Sequence, residues 1–227
     1  MHVPVSVLSE NDLQRSIMTK IFLTPDEHTH LWDDFRAGDR DAFSRIYEIF
    51  TADLYRYGFN LVRNKQLVED CLHELFLHLH VHKSNLGATN NIQFYLYRAL
   101  RRRLLDALKK VKKFDSDEHA LDDAHFVVES FESQYIEDQE QIRQQQMVLT
   151  ELNKLPKRQK EILYLVYMKG LSYQETADVM DISMKSVYNT VNVALTSLRK
   201  YIRTSLLREG ALWLNIGLIM HMFFPNI

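Results

Sequence analysis

Residues Tyr173–Asn192, YQETADVMDISMKSVYNTVN, decide the reading of this chain. Ser172 and Glu175 form an S-x-x-E pattern that opens a short helix ending near Met180. Asp181 stands at the turn, where Asp accepts left-handed backbone more readily than most residues. Ala177 supplies the small side chain needed where two helices touch, and Met180, Ile182 and Val187 are placed to pin the second helix onto the first. Ser183 is set to cap that second helix. Its exposed side would then carry Ser183, Met184, Lys185, Ser186, Tyr188, Asn189 and Asn192. Such residues reach base edges and phosphates in a major groove, and a helix N-terminus adds its own affinity for phosphate. The pattern is a helix-turn-helix; the plainer alternative is a capped helical hairpin with no ligand. Lys157, Arg158, Lys160, Arg199, Lys200 and Arg203 could add contacts to the DNA backbone.

Outward from this motif the chain stays helical. Leu149, Leu152 and Leu155 mark a helix stopped by Pro156, and Ile162, Leu163, Leu165, Val166 and Met168 mark another, closed by Gly170. In residues 41–62 apolar side chains recur at three- and four-residue steps from Phe43 to Val62. Asn64 interrupts them, and Leu67, Val68, Cys71, Leu72, Leu75, Phe76 and Leu79 form a second wide face. Residues 83–91, KSNLGATNN, read as a loop. A third helix carries Phe94, Leu96, Tyr97, Leu100, Leu104, Leu105 and Leu108 and ends in lysines, which suit a helix C-terminus. No alternating strand stands out. With only six Gly and four Pro in 227 residues, a turn-rich sandwich or barrel is disfavoured. One Cys excludes a disulfide scaffold and a four-cysteine zinc cluster.

Charge is distributed unevenly. The net charge of −2 hides eight basic residues against Asp106 alone between Arg98 and Lys113. Between Asp115 and Glu140 there are ten acids and neither Lys nor Arg. The acidic block reads as a linker, and it masks a basic face in the whole-chain sum. The expected organisation is all-α: a helical unit over residues 26–113, an acidic linker over 114–140, and the helix-turn-helix unit over 141–205. An N-terminal extension (1–25) and an apolar tail (206–227) flank them. The N-terminus carries no basic segment followed by a long apolar run, so a cytoplasmic location is expected.

Two further signals invite chemistry. HELFLHLHVH (residues 73–82) places His78, His80 and His82 in alternation, as a strand would, while His73 and Glu74 suit a helix. It is not H-E-x-x-H, so the expectation is no metal site and no cofactor, with a metal-dependent hydrolase kept as a rival reading. Cys71 lies on the apolar stripe and reads as a core thiol rather than a redox sensor. The tail residues 211–224, ALWLNIGLIMHMFF, fall short of the roughly 20 residues of a bilayer span. They are expected to fold back as a helix; covering a groove or touching a partner or a membrane surface are the alternatives.

The segment LPKRQKEILYLVYMKGLSYQETADVMDISMKSVYNTVNVALTSLRKYI resembles region 4 of bacterial RNA polymerase sigma factors. AFSRIYEIF, VEDCLHELFLHLH and FYLYRALRRRLLDALKK resemble region 2. The order and the short linker are similar to the extracytoplasmic-function (ECF) group. The resemblance implies no catalysis of the chain's own, but promoter recognition and strand opening in company with core RNA polymerase. It implies a polymerase-docking face at Glu69, Asp70, His73, Glu74 and Phe76. It implies capture of the −10 strand by Asn85, Tyr95, Tyr97, Arg98, Arg101, Arg102 and Arg103, a positive surface with aromatics for unstacked bases. It implies −35 duplex reading by the helix after Ser183, with Arg199, and a linker threading toward the polymerase cleft. Two positions depart from the family: Tyr95 where Trp is common and Arg102 where Asn is frequent. Both bear on the −10 preference. The resemblance also implies promoter DNA and an anti-sigma factor as candidate partners, with membranes involved only indirectly. A stand-alone helix-turn-helix regulator that binds DNA without polymerase is the other reading.

Overall fold

The computed structural model describes residues 23–114, 126 and 139–208, and every regular element among them is helical. The fold is all-α. The described residues form two compact units, one up to Phe114 and one made of Phe126 and the helices after it. The expected extension (1–25) lies outside them up to residue 22, the apolar tail from residue 209 onward, and the acidic linker apart from Phe114, Phe126 and residues 139–140.

The first unit contains α1 (Pro25–Ala37), α2 (Arg40–Val62), α3 (Lys65–His82), a 3-10 turn (Lys83–Asn85) and α4 (Ile92–Phe114). Each start is fixed by a side chain that satisfies otherwise orphaned backbone N–H groups. Thr24 and Glu27 form a capping box at α1, with Pro25 in its first turn. The Asp39 carboxylate accepts from the N–H groups of Asp41 and Ala42. Asn64 accepts from Leu67 N–H at 3.0 Å, and Asn91 from Phe94 N–H at 3.0 Å. Gly38, at φ +106°, closes α1.

The apolar faces meet in a core of Trp32, Phe35, Ile46, Phe50, Leu54, Tyr57, Val68, Leu75, Leu79, Ile92, Leu96, Leu100 and Leu104, each at most 1% exposed. Burying a side chain of this kind contributes about 1.5–3 kcal/mol. Gly58 lets the helices approach closely: a Cβ there would lie 3.0 Å from Val68 Cγ1 and 3.3 Å from Leu104 Cδ1. Cys71 is buried, and burial pushes its thiol pKa up. His28, half-buried, stacks on Phe50 with ring centroids 6.1 Å apart; burial pulls its pKa below the ordinary value.

The second unit contains α5 (Gln139–Asn153), α6 (Lys157–Leu163), a π-turn (Tyr164–Met168), α7 (Tyr173–Met180) and α8 (Met184–Arg208). Lys160, only 6% exposed, donates through Nζ to the Asn153 carbonyl at 3.3 Å and so caps the end of α5. Along α8, Val187, Val191, Ala194, Leu198 and Ile202 recur at helical spacing and are all buried, facing α5, α6 and α7. After α6 the backbone widens through the π-turn and is drawn back by Leu171 N–H donating to Leu165 O at 3.1 Å, with Gly170 at φ +67° between them. The acidic stretch is not solvated throughout. Phe126 is fully buried, and its ring meets Tyr164 edge-on at 5.4 Å.

Among the described residues no helix is long and apolar enough to cross a membrane.

Candidate nucleic-acid interface

The second unit carries the helix-turn-helix in the expected register. Ser172 Oγ accepts from Glu175 N–H at 3.2 Å while the Glu175 carboxylate accepts from Ser172 N–H at 2.8 Å, which starts α7. Asp181 adopts φ 55°, ψ 53°, and Ile182 N–H donates to Ala177 O at 3.0 Å, which ends it. Ala177 is 1% exposed at the helix contact, and Met180 and Val187 are buried; Ile182 is half-buried, a weaker pin than its position suggested. Ser183 Oγ accepts from Ser186 N–H at 3.2 Å and so caps α8.

This geometry presents Ser183, Met184, Lys185, Tyr188, Asn189, Asn192 and Arg199 to solvent, with Ser186 half-buried beside them. Tyr188 is held upright by Tyr173 at 6.2 Å. Tyr173 in turn hydrogen-bonds Tyr167, whose burial and phenol neighbour drive its pKa far up, so that it stays neutral. Val193 is an exposed apolar residue of α8 that the sequence reading passed over.

In the first unit, α4 offers a cationic face. Arg98 and Arg102 are exposed, Arg101 and Arg103 half-buried. Arg102 lies 3.9 Å from Asp106 with its side chain 86% exposed, a loose pairing that leaves it open to an anionic ligand. Tyr95 is half-buried; burial raises its phenol pKa, which keeps it a neutral hydrogen-bond donor. Tyr95, Arg98 and Arg102 fall at steps of three and four and so share one side of α4, extending over about 10 Å. Asn85 is exposed at the end of the 3-10 turn, in the loop that precedes α4. Tyr97 is a correction. It is fully buried against Tyr57, ring centroids 4.9 Å apart, and cannot meet a base. Its spacing to Leu100 and Leu104 places it on the core stripe.

On α3, Glu69, Asp70, His73 and Glu74 are exposed as expected, flanking buried Leu72 and Leu75. Phe76 is the second correction. It is 5% exposed and packs on Tyr47 at 4.7 Å and Phe43 at 6.4 Å, so it supports the face from below rather than forming it. The apolar members of the face are Leu77 and Val81, 53% and 62% exposed, which the sequence reading missed. Their spacing from Asp70, His73 and Glu74 at three- and four-residue steps is the signal that marks them.

The histidine run belongs to one continuous helix, not to a strand. His78 and His82, one turn apart, stack at 4.3 Å, and His82 Nδ1 lies 3.0 Å from His78 O. His80 turns away to Phe43 at 5.1 Å. Among the described residues no three His, Cys, Asp or Glu side chains come together in a way that could hold a metal ion.

Comparison with known proteins places these surfaces. Residues 46–114 match the model of Sigma-70 region 2, and residues 145–198 match that of Sigma-70, region 4. Together the two segments make up more than half of the chain. The ECF RNA polymerase sigma factor SigM of Bacillus subtilis (strain 168) is 26% identical over 142 residues, 63% of this chain and 83% of that protein. SigW of the same organism, also an ECF RNA polymerase sigma factor, is 24% identical over 178 residues, 74% of this chain and 92% of its own length. The fold is similar to that of the sigma factor RpoE from Bartonella quintana, solved in complex with the anti-sigma factor NepR. The TM-score is 0.51 at 18% identity, over 71% of this chain and 96% of that one. With both regions in order, on two helical units that carry the corresponding exposed faces, the chain belongs to the ECF group of the sigma-70 family of RNA polymerase sigma factors.

Proposed function

We propose that this chain joins core RNA polymerase and directs it to promoters, with the first unit (26–113) holding the opened −10 strand and the second (141–205) reading the −35 duplex. The observation that carries this reading is the coexistence, on one chain, of a region 2 segment with a cationic α4 face and a region 4 segment with an exposed recognition helix. A stand-alone regulator would need only the second of these.

Each face suits its task physically. Unpaired DNA offers phosphates and the flat sides of bases. Arg98, Arg101, Arg102 and Arg103 would meet the former, and Tyr95 and Asn85 the latter. Duplex DNA offers edges in its major groove. Met184, Lys185, Tyr188, Asn189 and Asn192 would read them, with Ser183, Ser186 and Arg199 on the backbone. Glu69, Asp70, His73 and Glu74, with Leu77 and Val81 supplying apolar contact, form the docking face for polymerase on α3. The contribution of the chain is binding and strand capture rather than bond chemistry, and its place of work is the cytoplasm. An anti-sigma factor covering the same surfaces is the expected means of restraint.

The test is run-off transcription by core polymerase with and without the purified chain on a library of genomic promoters. Chain-dependent transcripts from a discrete promoter set are expected. If the chain fails to associate with core enzyme, or associates and starts no transcripts, the reading is wrong.

A further inference from the structure

Trp32 belongs to none of the faces described above, yet it is the largest side chain in the core of the first unit and is fully buried. Its indole N–H leaves α1 and donates to the carbonyl of Gly87 at 2.8 Å, across 55 residues of sequence. Its ring packs on Tyr95 at 5.0 Å and on Phe35 at 5.2 Å. One side chain therefore touches both the loop before α4 and the aromatic residue at the start of α4.

The loop itself is a short series of specified contacts. Leu86 is anchored at 9% exposure, while Asn85, Gly87 and Ala88 around it face solvent. Beyond Gly87, Thr89 Oγ1 and the Asn91 backbone exchange hydrogen bonds at 3.1 and 3.2 Å. Asn91 then caps α4 through Phe94 N–H and accepts from Tyr95 N–H at 3.2 Å. Tyr95 returns to Trp32. The indole is the tie that closes this ring of contacts, and within it only the Trp32–Gly87 hydrogen bond fixes the middle of the exposed loop to the core.

We infer that Trp32 is a positioning residue for capture of the opened strand: it sets the backbone of residues 85–88 and the ring of Tyr95 in one fixed relation. This rests on the −10 reading proposed above. A loop that must receive a splayed base loses affinity if it has to be ordered on binding, and it loses discrimination between bases if it can settle in several ways. Trp32 would supply that order in advance, from a side chain that never meets DNA.

The test uses Trp32→Phe in the full chain reconstituted with core polymerase. Phe keeps a ring against Tyr95 and Phe35 and removes only the N–H. Gly87 is exposed, so water replaces the lost donor and the variant is expected to fold. Open-complex formation on a duplex promoter, followed by permanganate reactivity of the opened strand, is expected to fall by about three- to tenfold. The preference for the best −10 strand over a substituted one, measured on pre-opened templates, is expected to narrow by a similar factor. Core-polymerase affinity and −35 duplex protection should stay within about twofold of the parent. A merely structural role would lower all four together, and that result overturns the inference, as does an unchanged −10 preference. Tyr95→Ala and Arg98→Ala, run in parallel, separate the two levels. If they lose strand capture while Trp32→Phe does not, the −10 reading stands and the positioning role falls. If they too leave strand capture untouched, the −10 reading itself fails and takes the positioning role with it.

Discussion

Lys185 and Arg199 allow a quantitative test of how α8 meets DNA. Both are exposed on one helix, 14 positions apart, which is about 21 Å along the axis and about 40° around it. They therefore point to the same side and can engage the backbone at two separated places. Each cation that neutralises a phosphate adds about 0.9 to the slope of log affinity against log salt. Removing both, as Lys185→Ala with Arg199→Ala, should lower that slope by about 1.8. Between about 50 and 200 mM salt the parent should lose about twelvefold more affinity than the double variant. Both sites are on the surface, so stability should change by no more than about 0.5 kcal/mol and the comparison stays clean. The assay is fluorescence anisotropy of a labelled −35 duplex titrated with polymerase carrying either chain, at four or five salt concentrations. Asn189→Ala serves as the contrast: a neutral base reader should weaken binding by about 1–3 kcal/mol while leaving the slope where it was. Parallel salt plots for parent and double variant would refute the placement of these two cations on phosphates.

Three further outcomes are expected. Asp181→Val should destabilise the second unit by about 1–2 kcal/mol in urea unfolding, because a β-branched residue resists φ 55°. Asp181→Gly should cost nothing or stabilise, and equal effects from Val and Gly would show that the turn is not held left-handed. Cys71 should react with iodoacetamide at pH 8 at least about tenfold more slowly in the folded chain than in urea, since burial raises the thiol pKa. Equal rates would show the thiol is reachable. His28 has its pKa lowered by burial, so protonation favours the unfolded chain. Its contribution to stability is complete above its ordinary value of 6.5 and is lost as pH falls through the lower folded value. His28→Phe should thus flatten the fall in melting temperature between about pH 6.5 and 5, and a parallel fall would assign the acid sensitivity elsewhere.

The helix-turn-helix was legible because its determinants are local. A cap at Ser172, a small residue at Ala177, a turn at Asp181 and a second cap at Ser183 each act within a few residues. The faces of α3 and α4 were legible only in part. Tyr97 and Phe76 sit at the edge of a wide apolar stripe, where composition fits either a binding surface or a core, and only the partner helices decide. Tyr57 and Tyr47 claim them for the interior. Leu77 and Val81 carry the opposite lesson, because an apolar residue is assumed to be inside until its neighbours are known. The first helix escaped notice because PDEHTHLWDDFRA is polar apart from three anchors, although Thr24, Pro25 and Glu27 did announce its start. The tie from Trp32 to Gly87 spans too much sequence for any spacing rule to reveal it.

The widened turn at Tyr164–Met168 has a consequence for engineering. A π-turn holds one residue more than an α-turn. Deleting one residue there would restore regular winding but rotate everything after it by about 100° relative to α6. The connection looks like a place where length could vary, yet it behaves as a gear tooth. A chimera that borrows recognition specificity from another protein should therefore be joined upstream of Tyr164, so that the donor's own turn travels with the helices it aims.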